Sequence, residues 1–352
     1  MYGAIQERDL TGPDQYTHQR SGSGPLCEYL GRFPQLPTDP DPDIVDEWEF
    51  EDFVLRKLEY AVEPKLRVEA YLLVPDGVDK ATPAPGVLAL HEHNDEYLAG
   101  KSETVGLVED PEYTYLRAVH PDPSHEPPDA KRQFAYGRDL VKRGYVVLAP
   151  DFLSFETYRD SGSQDDPDYY DIPETQFLRG FEQMVSQKYL LYGSTLAAKH
   201  LHDVVVAVSV LTGLREVAGQ GIGVIGHSQG GQFASLLAAF DDRIEAGVSS
   251  CGTFSYDRYE WSNRMETADT ILPGFRADGY DFDYLLDAIP PTPFLATYGS
   301  EEMNNGEEFL ETDRNQFTAI RFEGGHGFPT AVRERAYDFL EAHVDASPEK
   351  PK

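Results

Sequence analysis

The run GIGVIGHSQGG at residues 221–231 constrains this chain more than any other part of it. An apolar stretch of strand length meets a helix-like stretch, QGGQFASLLAAF, with almost nothing between them. Only a tight turn can join two such elements, and the residue at its apex is held in a strained backbone conformation. Gly226 and Gly230 supply the small neighbours that such a turn needs. The hydroxyl of Ser228 is then lifted clear of a sheet and placed at a helix N-terminus. There the Gln229 N–H is free to bind a developing negative charge. Ser228 is therefore the candidate nucleophile and the Gln229 backbone a candidate oxyanion donor. The bland alternative is an inert serine in a glycine-rich turn.

The same alternation of apolar strands and helical stretches runs through most of the chain. LRVEAYLLVP, GVLAL, GYVVLAPD, RIEAGVSSC, TPFLATYG and FTAIRF read as strands. Arg132 to Arg143, Leu191 to Leu214, Gln229 to Phe240 and Thr330 to His343 read as helices. Strands alternating with helices imply an α/β fold, a mostly parallel central sheet covered on both faces. Residues 1–47, dense in Gly, Pro and Asp, read as an irregular N-terminal arm. Residues 48–345 read as the α/β domain, with polar inserted loops near 95–130 and 152–187, and residues 346–352 as a flexible tail.

Charge narrows the partners. The chain carries 62 acidic and 30 basic side chains, a net charge of −32. Nucleic acid and anionic membranes would be repelled, so a small-molecule substrate is expected instead. The carboxylates are spread along the whole sequence, a pattern that resembles proteins of salt-accumulating halophiles. No apolar run approaches the roughly 18 residues of a membrane helix, and MYGAIQERDL has no signal-peptide character. The two cysteines, Cys27 and Cys251, exclude a disulfide framework and a four-thiolate zinc site. A cytoplasmic protein is expected, with no cofactor and no metal, and a homo-oligomer is allowed.

With Ser228 in its elbow, the chain resembles the α/β-hydrolase superfamily, and more closely the dienelactone-hydrolase-like and acetyl-xylan-esterase-like hydrolases. The resemblance runs from about Tyr60 to Val344 through VEAYLLVP, PGVLALHEHN, GYVVLAPD, IGVIGHSQGG, DDRIEAGVSSCG, IPPTPFLATYGS and GGHGF. It implies a serine ester hydrolase working through an acyl-enzyme. Dienelactone hydrolases proper have a cysteine at the elbow, so dienelactone chemistry is not implied. The resemblance also implies the chain order serine, acid, histidine. Only His326 and His343 follow Ser228, and His326 sits in the glycine-rich segment GGHGF, which makes it the expected base. The acid is expected after the strand ending at Gly299. Three residues on stands Glu302, where aspartate is commoner; Glu301 and Asp313 remain alternatives. The loop after GVLAL is expected to supply a second oxyanion N–H, from His93 or Asn94.

Two other enzyme readings use the same residues. His91-x-His93-x-Asp95 begins the H-x-H-x-D-H signature of metallo-β-lactamase-like hydrolases, although Glu96 stands in the sixth position. A metal-dependent hydrolase would use His91 and His93 as ligands. A serine peptidase on the same fold is the other alternative.

Overall fold

A computed structural model describes residues 10–93, 97–109, 116–156, 174–219, 221–261, 267–302, 307–310 and 312–344, with backbone only for 174–178 and 259–261. Nine strands form the central sheet: β1 (Asp43–Glu49), β2 (Phe53–Glu63), β3 (Leu66–Pro75), β4 (Gly86–Leu90), β5 (Val146–Pro150), β6 (Ile222–His227), β7 (Ile244–Ser250), β8 (Phe294–Gly299) and β9 (Phe317–Phe322). Their spatial order is β9-β8-β7-β6-β4-β5-β3-β2-β1. The six strands from β9 to β5 are parallel to their neighbours, and β3, β2 and β1 join antiparallel.

Burial explains which stretches became strands. Every residue of β4, β5, β6 and β8 is buried, as expected for a parallel sheet packed on both faces. β2 alternates, with Phe53, Leu55, Leu58, Tyr60 and Val62 turned inward. β1 is the exposed edge, and its Asp43, Asp46, Glu47 and Glu49 discourage pairing with another chain. On one face lie the helices Leu196–Gly213 and Gln229–Phe240, packed through Leu201, Val204, Phe233 and Leu237. On the other lie Tyr136–Lys142 and Thr330–His343, packed through Leu140, Val141, Tyr337 and Leu340. The strand order reverses around β4, because β4 and β5 step one way and β6 returns on the other side of β4. A crevice at the C-terminal ends of β4 and β6 is the usual binding place in such a sheet.

The N-terminal arm differs from its sequence reading. It carries a helix, Gly24–Leu30, and its Leu26, Leu30 and Phe33 are buried in the main core. The Tyr16 hydroxyl bonds His202 Nδ1 at 2.7 Å. The arm also supplies β1, which begins at Asp43 rather than Trp48. Its Gly, Pro and Asp content hid a seven-residue helix with only three inward positions, too few to show a period. The region read as a polar excursion holds a helix, Glu174–Leu191, and Phe152 and Phe155 are core residues; Tyr158, Tyr169 and Tyr170 lie outside the described residues. The next helix starts at Leu196, not Leu191, because Thr195 caps it by accepting from the Ala198 N–H at 3.0 Å. By length and composition this helix could cross a membrane, contrary to the sequence reading, but 83% of it is buried inside the fold.

Candidate active site

Ser228 adopts φ 53° and ψ −118°, so the turn is strained as its sequence requires. Packing leaves no alternative at the flanks. A Cβ on Gly226 would lie 2.2 Å from the Gly230 carbonyl carbon, and one on Gly230 would lie 2.1 Å from the Leu90 oxygen. The Ser228 N–H donates to Ser250 O at 2.8 Å, and its own carbonyl accepts from the Gln232 N–H at 2.9 Å. These bonds tie the strained residue to β7 and to the helix it opens. His227 and Gln229 are buried, while Ser228 is half-buried at the sheet's C-terminal edge. The first N–H groups of a helix have no partner within it, and that of Gln229 is one of them.

Two loops bring the next pair together. β8 and β9 run parallel in register to Gly299 and Phe322, so the turns that follow them are neighbours. They touch closely: a Cβ on Gly299 would meet Gly325 O at 2.3 Å. The His326 Nδ1–H donates to Glu302 Oε1 at 2.5 Å, and Glu302 Oε2 accepts from the Gly299 N–H at 2.9 Å. Side-chain exposure is 42% for His326 and 11% for Glu302, so the ring faces outward and its acceptor faces in. Burial works to lower the His326 pKa, but the hydrogen bond and charge of Glu302 outweigh it and raise the pKa above 6.5. Glu301 and Asp313 are exposed, and no hydrogen bond joins either to His326 among the described residues. His343 ends the last helix, bonded to Phe339 O at 2.8 Å. Cys251 follows β7 at φ 51°, and burial with the Glu302 charge keeps its thiol protonated.

His326 also meets the elbow. Its ring centroid lies 4.7 Å from that of His227, the residue before Ser228. Among the described residues the Ser228 hydroxyl makes no hydrogen bond, an open geometry common in enzymes without substrate.

The loop after β4 packs directly under the elbow, since a Cβ on Gly230 would meet His91 O at 2.7 Å. His91 is fully buried. Its Nδ1 bonds Glu92 O at 2.7 Å and its Nε2 accepts from the Phe152 N–H at 3.0 Å. Burial lowers its pKa to about 4, so it is neutral and both nitrogens are engaged. His93 Nε2 bonds Glu182 Oε2 at 3.0 Å, and the Tyr97 hydroxyl donates to the same oxygen at 2.6 Å. These partners correct the metal-ligand reading of His91 and His93: each ring is a structural tie, and the two serve different neighbours. Asn94 lies outside the described residues.

Sequence reasoning passed over the interior layer beneath the site. Glu92, which intrudes between the two histidines, is buried and pairs with Lys131 Nζ at 3.0 Å. The Gln229 side chain donates to Asp269 Oδ2 at 2.9 Å. Asp151 pairs with Lys101 at 2.8 Å and Asp203 with Lys199 at 2.7 Å, both carboxylates buried. The available signal was a run of charged residues beside an otherwise apolar strand.

A strained serine between a buried strand and a helix, on a parallel sheet at its switch point, is the arrangement of the α/β-hydrolase fold. Known proteins agree. The dienelactone hydrolase family matches residues 131–275. The Bacillus subtilis (strain 168) protein YtaP, itself described as a hydrolase, is 23% identical over 294 residues, covering 78% of this chain and 83% of that one. The glucuronoyl esterase from Solibacter usitatus superposes with a TM-score of 0.60 at 14% identity, over 94% of each chain. Acetyl xylan esterase 1 from Thermoanaerobacterium sp. gives 0.54 at 14% identity, over 89% of this chain and 96% of that one. At these identities the structural likeness establishes the fold.

Proposed function

We propose that this α/β-hydrolase is a serine carboxylic ester hydrolase with Ser228 as nucleophile, His326 as base and Glu302 as the acid that orients it. The observation that carries the reading is the 2.5 Å Glu302–His326 bond, with the His326 ring packed on His227, the residue before a half-buried serine that the fold keeps strained. Ser228 Oγ attacks the ester carbonyl as His326 Nε2 takes its proton. The negative oxygen of the tetrahedral intermediate is held by the Gln229 N–H and by an N–H of the His93–Asn94 stretch. His326 passes the proton to the leaving alcohol, and water, deprotonated by the same ring, releases the acid. Glu302 fixes the tautomer with Nδ1 protonated and stabilises the imidazolium. The chain's own groups complete every step, without a cofactor.

The test is labelling with a fluorophosphonate, followed by mapping of the modified residue by mass spectrometry. Adduct on Ser228, lost in Ser228→Ala and in His326→Ala, is expected; labelling elsewhere or none would overturn the reading. The neighbours of this fold include a glucuronoyl esterase and an acetyl xylan esterase. Those two ester classes are therefore the first substrates to assay, beside simple acyl esters of varied length.

A further inference from the structure

The loop after β4 places a second carboxylate at the catalytic histidine. A Glu92 oxygen, a His227 ring nitrogen and a His326 ring nitrogen lie within 4.8 Å of one another. Glu92 Oε2 is 3.7 Å from His227 Nε2, a buried nitrogen that has no hydrogen-bond partner among the described residues. The other His227 nitrogen, Nδ1, bonds the Ser250 hydroxyl at 3.0 Å. Lys131, on the short helix Asp129–Phe134, reaches Glu92 at 3.0 Å and Glu103 at 3.3 Å. Its ammonium also lies 5.0 Å from the centre of the Phe134 ring, which packs on His227 at 4.7 Å, and His227 packs on His326 at 4.7 Å. A continuous column therefore leads from a buried ion pair to the base.

Resting on His326 as the base, we propose that Glu92, clamped by Lys131, is a positioning residue: a second carboxylate that stabilises the imidazolium formed when Ser228 gives up its proton, and that holds the His227–His326 stack in place. The sequence gives no role to Glu92, and a buried carboxylate at this point is costly unless paired.

The charges of the cluster follow from its neighbours. Burial works to raise the Glu92 pKa, but the cations around it outweigh this and lower it. Burial takes His227 down to about 3, so it is neutral near pH 7 and Lys131 is the cation that counts. Burial and the Glu92 charge push Glu103 well up, so it stays protonated and hydrogen-bonds Glu92. The Tyr136 hydroxyl donates to Leu90 O and remains neutral. Around His326 the charged or titratable neighbours are thus Glu302 and Cys251 from the loops after β8 and β7, His227 from the elbow, and Glu92 with Lys131 behind it. A Glu92 oxygen lies within 4.8 Å of a His326 nitrogen, and its negative charge exceeds the opposing effect of Lys131 there.

The test is the His326 pKa, read directly by NMR and independently as the lower limb of the pH profile of kcat/KM. The His326 resonance is assigned by its loss in His326→Gln. In Glu92→Gln the pKa should fall by about one unit, because Lys131 is left unopposed. In the charge-free pair Glu92→Gln with Lys131→Met it should fall by less, about half a unit. The pair also guards against misfolding from one buried, unpaired charge. A pKa equal to that of the unaltered protein in either folded variant would overturn the proposal, even if activity dropped at every pH. If the NMR pKa shifts while Ser228→Ala retains activity, Glu92 acts on His326 as stated and the hydrolase assignment is what fails.

Discussion

Two hydrogen-bonded histidine–carboxylate pairs among the described residues flank the elbow and the loop beneath it, and they differ in everything except chemistry. His326–Glu302 measures 2.5 Å with the ring 42% exposed; His93–Glu182 measures 3.0 Å with side-chain exposures of 3% and 2%. The first joins two loops at the sheet's open edge. The second joins a loop to the helix Glu174–Leu191 in the interior, and its carboxylate also accepts from Tyr97 and from the Ala268 N–H. A base needs a ring nitrogen that can reach substrate, and only the first pair offers one. The second spends its ring on tying the fold together. A histidine beside an acid is thus no signature of catalysis until its exposure is known.

Substitutions should separate the two pairs. The largest effect belongs to the outer pair and its serine. Ser228→Ala or His326→Ala should reduce kcat/KM by about 10⁴-fold or more, while His343→Ala changes it little. A reversed order for the histidines would show that the wrong one had been assigned. Glu302→Gln should follow, with a loss of about 10³- to 10⁴-fold and little change in melting temperature. Glu301→Gln, on an exposed side chain, should be near neutral in the same assay. Damage from Glu301→Gln alone would move the acid by one position.

The inner pair should respond in the opposite sense. Glu182→Ala removes the carboxylate shared by His93, Tyr97 and the Ala268 N–H, and removing one partner of a buried pair costs about 3–5 kcal/mol of stability. Urea unfolding should show that loss, with kcat/KM below the unfolding range falling less than about tenfold. A catalytic collapse with intact stability would make His93–Glu182 a working pair and erase the contrast. The pH profile sharpens it further. With His326 as the proposed base, only its neutral form is active and its pKa is raised above 6.5, so kcat/KM should climb with pH through a midpoint above that value. Glu302→Gln should move the midpoint down. A midpoint near 4, the value of buried His91, would point to a different base.

The smallest effect concerns the surface as a whole. We propose that the −32 net charge adapts the protein to high salt. Exposed acids such as those of β1 repel one another when unscreened, and the screening length falls from about 30 Å at 0.01 M to about 3 Å at 1 M. The melting temperature should therefore rise by several degrees between about 0.05 M and about 2 M KCl. A flat or falling series would remove the proposal and leave the catalytic assignment untouched.

The sequence by itself determined the elements whose pattern is locally complete. The helix Gln229–Phe240, the strand Phe317–Phe322 and the helix Thr330–His343 fall where periodicity and turn residues put them. Ser228 was legible because strand, glycine and helix are contiguous in the chain, so the strain they impose needs no distant partner. Other features depend on partners far away in sequence, and only the tertiary structure decided them. Glu302 meets His326 because β8 and β9 pair in register. Leu26, Leu30 and Phe33 of the arm are buried because they find a core built by later residues. Glu92 is buried because Lys131, 39 residues on, neutralises it. Local propensity acts through neighbouring backbone, whereas burial and charge are set by whatever the fold brings within a few ångströms.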